Sequence, residues 1–200
     1  MTRKGYLIGI EGIDAVGKRT QTALLNSWLK KRGNPTETLS FPDYETPIGR
    51  QIRAFLTAKV EYPAQVRHLL FAANRWEKAP MIKELLDQGK IVTVNRYTES
   101  NLAYGVANRL PLDWLIGLEA GIPKTNLVVV LDAPSKELVS RRPGKDSYEK
   151  NEQLQRQTRT IYKQLAKKFG WEVIEATGDV QNIHRAIMAT VEKRLRRRQS

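Results

Sequence analysis

The chain has no cysteine and only two histidines in 200 residues. Disulfide bridges and thiolate metal centres are therefore excluded. His68 and His184, each alone on a helical stretch, are assigned no catalytic role. Long apolar runs are also missing. The N-terminal stretch MTRKGYLIGIEG has too short an apolar part for a secretory signal and is interrupted by Glu11. No segment approaches the length that spans a bilayer, so a cytoplasmic protein without a membrane partner is expected. Acidic residues are scarce. The 21 carboxylates against 34 basic side chains leave a net charge of +13, which suits anionic partners such as nucleotides, nucleic acid or an acidic surface. Repeats and low-complexity linkers are absent, and the length fits one domain over residues 1–200 with a substantial core.

Against these absences, five short runs rich in β-branched residues stand out: YLIGIE (6–11), TETLSF (36–41), KIVTVNR (90–96), NLVVVLD (126–132) and WEVIEA (171–176). Helical patterns lie between them. Residues 18–33 place Leu24, Leu25, Trp28 and Leu29 at helical spacing and stop at Gly33. A long pattern over 65–89 contains Pro80, which is expected to kink or restart it, and stops at Gly89. Two more patterns cover 151–170 and the basic C-terminal segment 179–198. Alternating strand and helix predicts an α/β fold with five parallel strands covered on both faces. Ligands in such sheets bind outside the carboxyl ends of the strands. Those ends carry Glu11–Gly12, Phe41–Pro42, Asn95–Arg96 and Asp132. The C-terminal run EKRLRRRQS has no interleaved aromatics for base stacking. It reads as a solvated helix end whose cations complement the helix dipole, and no nucleic-acid partner is expected from it.

The segment GIDAVGKRT follows the first strand and opens a helix, the setting a phosphate-binding loop requires. Its residues Gly12, Ile13, Asp14, Ala15, Val16, Gly17, Lys18, Arg19 and Thr20 form the expected nucleotide-phosphate cradle. Glycines let backbone N–H groups approach the phosphates, the helix N-terminus adds positive potential, and Lys18 supplies a point charge. The pattern calls for Ser or Thr after the lysine, to bind magnesium. Here that position is Arg19, and Thr20 comes one place late.

Further along lie FPDY (41–44), FAANR (71–75), NRYTESNLAY (95–104) and KDSYEKNEQLQ (145–155). With EGIDAVGK, this set in this order resembles the thymidylate kinase family of P-loop nucleoside monophosphate kinases, over about residues 6–178. The resemblance implies a three-layer P-loop fold with a short lid at about 141–148, ATP as phosphate donor, dTMP as acceptor, magnesium, and a homodimer packed through helices. It also implies roles for matching residues. Asp14 would hold the deoxyribose 3′-hydroxyl, Phe71 would stack on thymine, and Arg75 would contact the base. Arg96 would grip the dTMP phosphate, and Ser100 and Asn101 would read the base. Tyr104 would crowd the 2′ position, Pro42 and Tyr44 would wall the acceptor site, and Tyr148 would close the end of the lid. Arg141, Arg142 and Lys145 would close over the transferring phosphate, beside Asp146 and Glu149. Lys18, Arg19, Arg96, Arg141 and Arg142 make up the candidate catalytic set. Each residue also has a plainer reading: Phe71 and Tyr104 as core, Arg75 and Arg96 as exposed charges, RRPGK as an ordinary turn, Asp132 as a helix cap.

The chain departs from the family pattern twice. Asn95 stands where the family reads Asp before Arg-Tyr, and Arg19 replaces the Ser or Thr. Either the Arg19 guanidinium, or a shifted metal, takes over part of the magnesium's charge neutralisation, or Arg19 points to solvent and magnesium arrives on ATP, held through water. Glu11, Asp14 and Glu149 are the carboxylates left to hold a metal. Three other functions compete with dTMP phosphorylation: a kinase for another or several deoxynucleotides such as dUMP, a decayed site, and a basic nucleotide-regulated protein that binds nucleic acid.

Overall fold

The computed structural model describes residues 4–134, 137–138, 148 and 151–197. Five strands, β1 (Tyr6–Glu11), β2 (Thr36–Ser40), β3 (Ile91–Asn95), β4 (Leu127–Asp132) and β5 (Glu172–Glu175), form one parallel sheet in the order β2-β3-β1-β4-β5. Seven helices flank it among the described residues: α1 (Lys18–Lys31), α2 (Pro47–Leu56), α3 (Ala64–Asp87), α4 (Thr98–Ala107), α5 (Leu112–Leu118), α6 (Glu152–Phe169) and α7 (Val180–Arg197). None of these helices is long and apolar enough to cross a membrane.

The strands lie where their β-branched runs predict them. β1 is buried along its whole length, and its pleat sends alternate side chains to opposite faces. Leu7 joins Val92, Val94, Phe41 and Tyr97 beneath Ala79 and Ile82 of α3. Ile8 and Ile10 join Leu25 and Leu29 of α1, Tyr162 of α6 and Ile187 of α7 on the other face. That division makes the three layers. α3 passes through Pro80 unbroken, so the expected restart does not occur; buried Ala79 and Ile82 anchor the helix on both sides of the proline. Helices α2, α4 and α5 had no clear sequence signal. The basic end of α7 is partly neutralised, because Arg194 meets Glu172 at 2.5 Å and Arg32 meets Glu192 at 2.7 Å.

Parallel register brings the carboxyl ends of the central strands to one edge. Ser40 and Ile10 are both aligned with Asn95, and Glu11 with Val130. Everything that follows these ends in sequence is thereby gathered into one crevice.

Candidate active site

The turn after β1 has the backbone that its glycines allow. Gly12 sits at φ +133°, and a Cβ there would lie 2.5 Å from the Leu131 carbonyl oxygen. Gly17 caps α1 in the left-handed region at φ 97° and leaves the helix end without a side-chain cap. The first N–H groups of α1 are thus left for a ligand. Ile13 and Val16 are buried and anchor the loop in the core, and the Lys18 ammonium donates to the Ile13 carbonyl at 2.6 Å. Because α1 starts at Lys18, exposed Thr20 does not move into the missing hydroxyl's place.

Beside this loop opens a cavity of about 610 Å³. Asp14, Pro42, Tyr44, Phe71, Arg75, Arg96, Ser100, Asn101, Tyr104 and Tyr148 all line it, from five separate stretches of chain. Arg19 and Asn95 line it as well, and Arg19 is exposed. His68, assigned no role from sequence, is also in the wall, and burial lowers its pKa to about 4, leaving it neutral. Phe71 is half-buried and packs near His68 and Tyr148, with ring centroids 5.8 and 6.4 Å away. Tyr104 and Tyr148 stack at 5.6 Å. Arg141, Arg142, Lys145, Asp146 and Glu149 lie outside the described residues.

Asp14 and Arg96 are the electrostatic centre of the cavity. They form an ion pair in which both side chains are mostly buried. Tyr104 donates to the Asp14 carboxylate at 3.0 Å and Gln155 at 2.7 Å. Burial alone would raise the Asp14 pKa, but Arg96 and Lys18, helped by those two hydrogen bonds, hold it at about 2. Arg96 itself adopts φ 61° at the end of β3, a left-handed conformation that costs free energy in a non-glycine residue. Its N–H donates to Ile10 across the sheet at 3.1 Å, and its guanidinium donates to Ser100 Oγ at 3.1 Å.

At the opposite end, Arg75 donates through Nε to Glu119 at 3.0 Å and also through Nη2, in a buried pair. Asn101 donates to the same carboxylate at 2.7 Å and faces His68 Nδ1 with its carbonyl at 2.7 Å. Asn74 holds the 41–46 loop, accepting from the Asp43 N–H at 2.8 Å and donating to Thr46 Oγ1 at 2.8 Å. Gly49 of α2 packs so tightly under this loop that a Cβ would lie 1.8 Å from the Asp43 carbonyl. Glu119, Asn74, Gln155 and Tyr162 are the residues that sequence reasoning missed. Asn74 and Gln155 lie within the 71–75 and 145–155 motifs, which could have flagged them, whereas nothing local marks Glu119 or Tyr162; all four act through a partner distant in the chain.

The carboxylates nearest the loop are already engaged. Glu11 accepts from the Tyr97 N–H at 2.6 Å, Ser100 at 2.6 Å and Tyr162 at 2.7 Å. These three bonds tie β1 to α4 and α6 through the buried Glu11 carboxylate. Asp14 is held as described, and Asp132 is gripped by Arg159 at 2.6 and 2.8 Å. No group of three or more metal-ligating side chains gathers among the described residues. The described residues do not fit a magnesium ion held by protein carboxylates.

The family model for thymidylate kinase matches residues 10–187. The chain is 35% identical to human thymidylate kinase over 198 residues, covering 97% of this chain and 93% of that one. It is 38% identical to the probable thymidylate kinase of Thermococcus kodakarensis, covering 92% and 96%. Among solved structures it superposes on thymidylate kinase from Candida albicans, described as broad in substrate specificity, with a TM-score of 0.83, 29% identity and coverage of 95% and 92%.

Proposed function

From a chain that belongs to the thymidylate kinase family and transfers a phosphoryl group from ATP to dTMP, we propose that the cavity beside the phosphate loop is the acceptor site. The observation that carries this reading is the convergence of ten residues from five segments on that one cavity. In this reading thymine stacks on Phe71, Arg75 and Asn101 face its polar edge, and Asp14 takes the 3′-hydroxyl. Tyr104 closes the 2′ side. Arg96 holds the acceptor phosphate with its planar fork, which matches phosphate oxygens bidentately.

Transfer between two anions is mainly positioning and charge neutralisation. Lys18 and the amino end of α1 hold the β- and γ-phosphates of ATP, and Arg96 holds the acceptor in line. The family resemblance assigns Arg141 and Arg142, outside the described residues, to the transferring phosphate, where exclusion of water favours dTMP over hydrolysis. Magnesium, typical of the family, supplies charge neutralisation on the donor when bound.

The test is ADP formation from ATP with dTMP, dUMP, dCMP, dGMP and UMP as competing acceptors. Preference for dTMP is the expected result. Equal use of several acceptors would favour the broader deoxynucleotide kinase. Binding of ATP without transfer to any acceptor would overturn the acceptor-site reading.

The same reading includes a homodimer. Leu69 and Trp76, one face of α3, and Ile116 of α5 are large apolar side chains left exposed, and the Trp76 indole donates to the Leu118 carbonyl at 3.0 Å, tying the two helices into one surface. Leu69→Glu is expected to shift the sedimentation coefficient from dimer to monomer, since a buried unpaired charge opposes association. An unchanged coefficient would place the interface elsewhere.

A further inference from the structure

Four arginines line the acceptor cavity, and three have a counter-charge: Arg53 with Glu45, Arg75 with Glu119, Arg96 with Asp14. Arg19 forms no hydrogen bond or ion pair among the described residues. It stands on the first turn of α1, one residue past Lys18, where the electrostatics of the helix end already favour an anion. In the same wall, Asn95 donates to Ser40 Oγ at 2.8 Å, while its own Oδ1 is buried without a partner. We propose that Arg19, together with the neutral Asn95, neutralises the phosphates on the side where other phosphate-loop proteins hold a divalent cation. The proposal rests on the acceptor-site reading.

Charge bookkeeping supports treating the two residues as one device. A neutral hydroxyl, a carboxylate and a divalent cation carry a single net positive charge. Arg19 with Asn95 carries the same. An aspartate at 95 would share the cavity with the Arg19 guanidinium and cancel it, so the neutral amide leaves the guanidinium for phosphate.

The experiment compares wild type with Arg19→Ser, Arg19→Lys and Asn95→Asp. Calorimetry gives the affinity for ATP in EDTA and in magnesium, and thymidine binding, which involves no phosphate, checks that each variant keeps a folded pocket. Wild type is expected to bind metal-free ATP within about threefold of its affinity in magnesium. Arg19→Ser is expected to weaken metal-free binding by about tenfold or more, the size of a lost charge-assisted contact, and to raise the magnesium needed for half-maximal turnover. Arg19→Lys should retain most of the metal-free affinity, and Asn95→Asp should lower it. If Arg19→Ser leaves metal-free affinity within about twofold while thymidine still binds, the inference is overturned. Failure of the acceptor-site reading looks different: wild type would make no dTDP in magnesium, whatever the ATP affinities.

Discussion

Arg96→Ala is expected to lower kcat/KM for dTMP by about a thousandfold or more, the range seen when a phosphoryl-transfer arginine is removed, equivalent to roughly 4 kcal/mol of transition-state stabilisation. The loss has two physical parts. The acceptor phosphate loses the fork that aligns it, and Asp14 loses its counter-ion. Asp14 stays buried, and burial is the largest influence on its carboxyl. With Arg96 gone, its pKa should rise from about 2 toward the ordinary 3.8, with Lys18, Gln155 and Tyr104 still lowering it. The sign follows from linkage. In wild type the lowered pKa contributes stability that is present above about pH 4 and lost as pH falls toward 2. In the variant that contribution is smaller, so the advantage of neutral over acidic pH should shrink. Arg96→Lys keeps the charge without the fork and should recover only part of the activity. Steady-state kinetics with dTMP varied, beside thermal melts from pH 2 to 7, check both parts. Near-normal kcat/KM in a folded Arg96→Ala protein would remove Arg96 from the reaction.

Glu119→Ala is expected to be the most damaging single change to stability, by about 3–5 kcal/mol, because it leaves a buried guanidinium without its partner. The side chains of Arg75 and Glu119 are 4% and 7% exposed, so water does little to replace the lost contact. Asn101 loses an acceptor as well. For a chain of this size the melting temperature should fall by about 10 °C. The Arg75→Met, Glu119→Leu double variant should recover a large part of that loss, since replacing both charges with apolar groups removes the desolvation penalty along with the attraction. Its affinity for dTMP should still be poor, because Arg75 lines the base end of the cavity. Differential scanning calorimetry and dTMP titration separate the two effects. A small loss of stability in Glu119→Ala would mean that Arg75 finds water or another acceptor.

Much of this protein follows from local sequence. The strands declare themselves by β-branched runs, and the phosphate loop by glycines whose backbone angles and close contacts tolerate little else. The ten cavity-lining residues were legible because they sit in short motifs in a fixed order. Helices α2, α4 and α5 were not, since each is short and owes its place to packing. α3 runs through Pro80 because tertiary burial overrides the local penalty. The deeper division concerns polar partners. Asp14 and Gln155 are 141 residues apart, Glu11 and Tyr162 are 151, and Arg75 and Glu119 are 44. A side chain's charge is written in its residue type, but whether that charge is already spent depends on what the fold brings within hydrogen-bonding reach. Sequence alone left Arg19 between solvent and site, and offered Glu11 as a carboxylate to hold a metal. Only the tertiary structure put the first in the cavity wall and surrounded the second with donors inside the core, because desolvation and pairing are decided by neighbours in space.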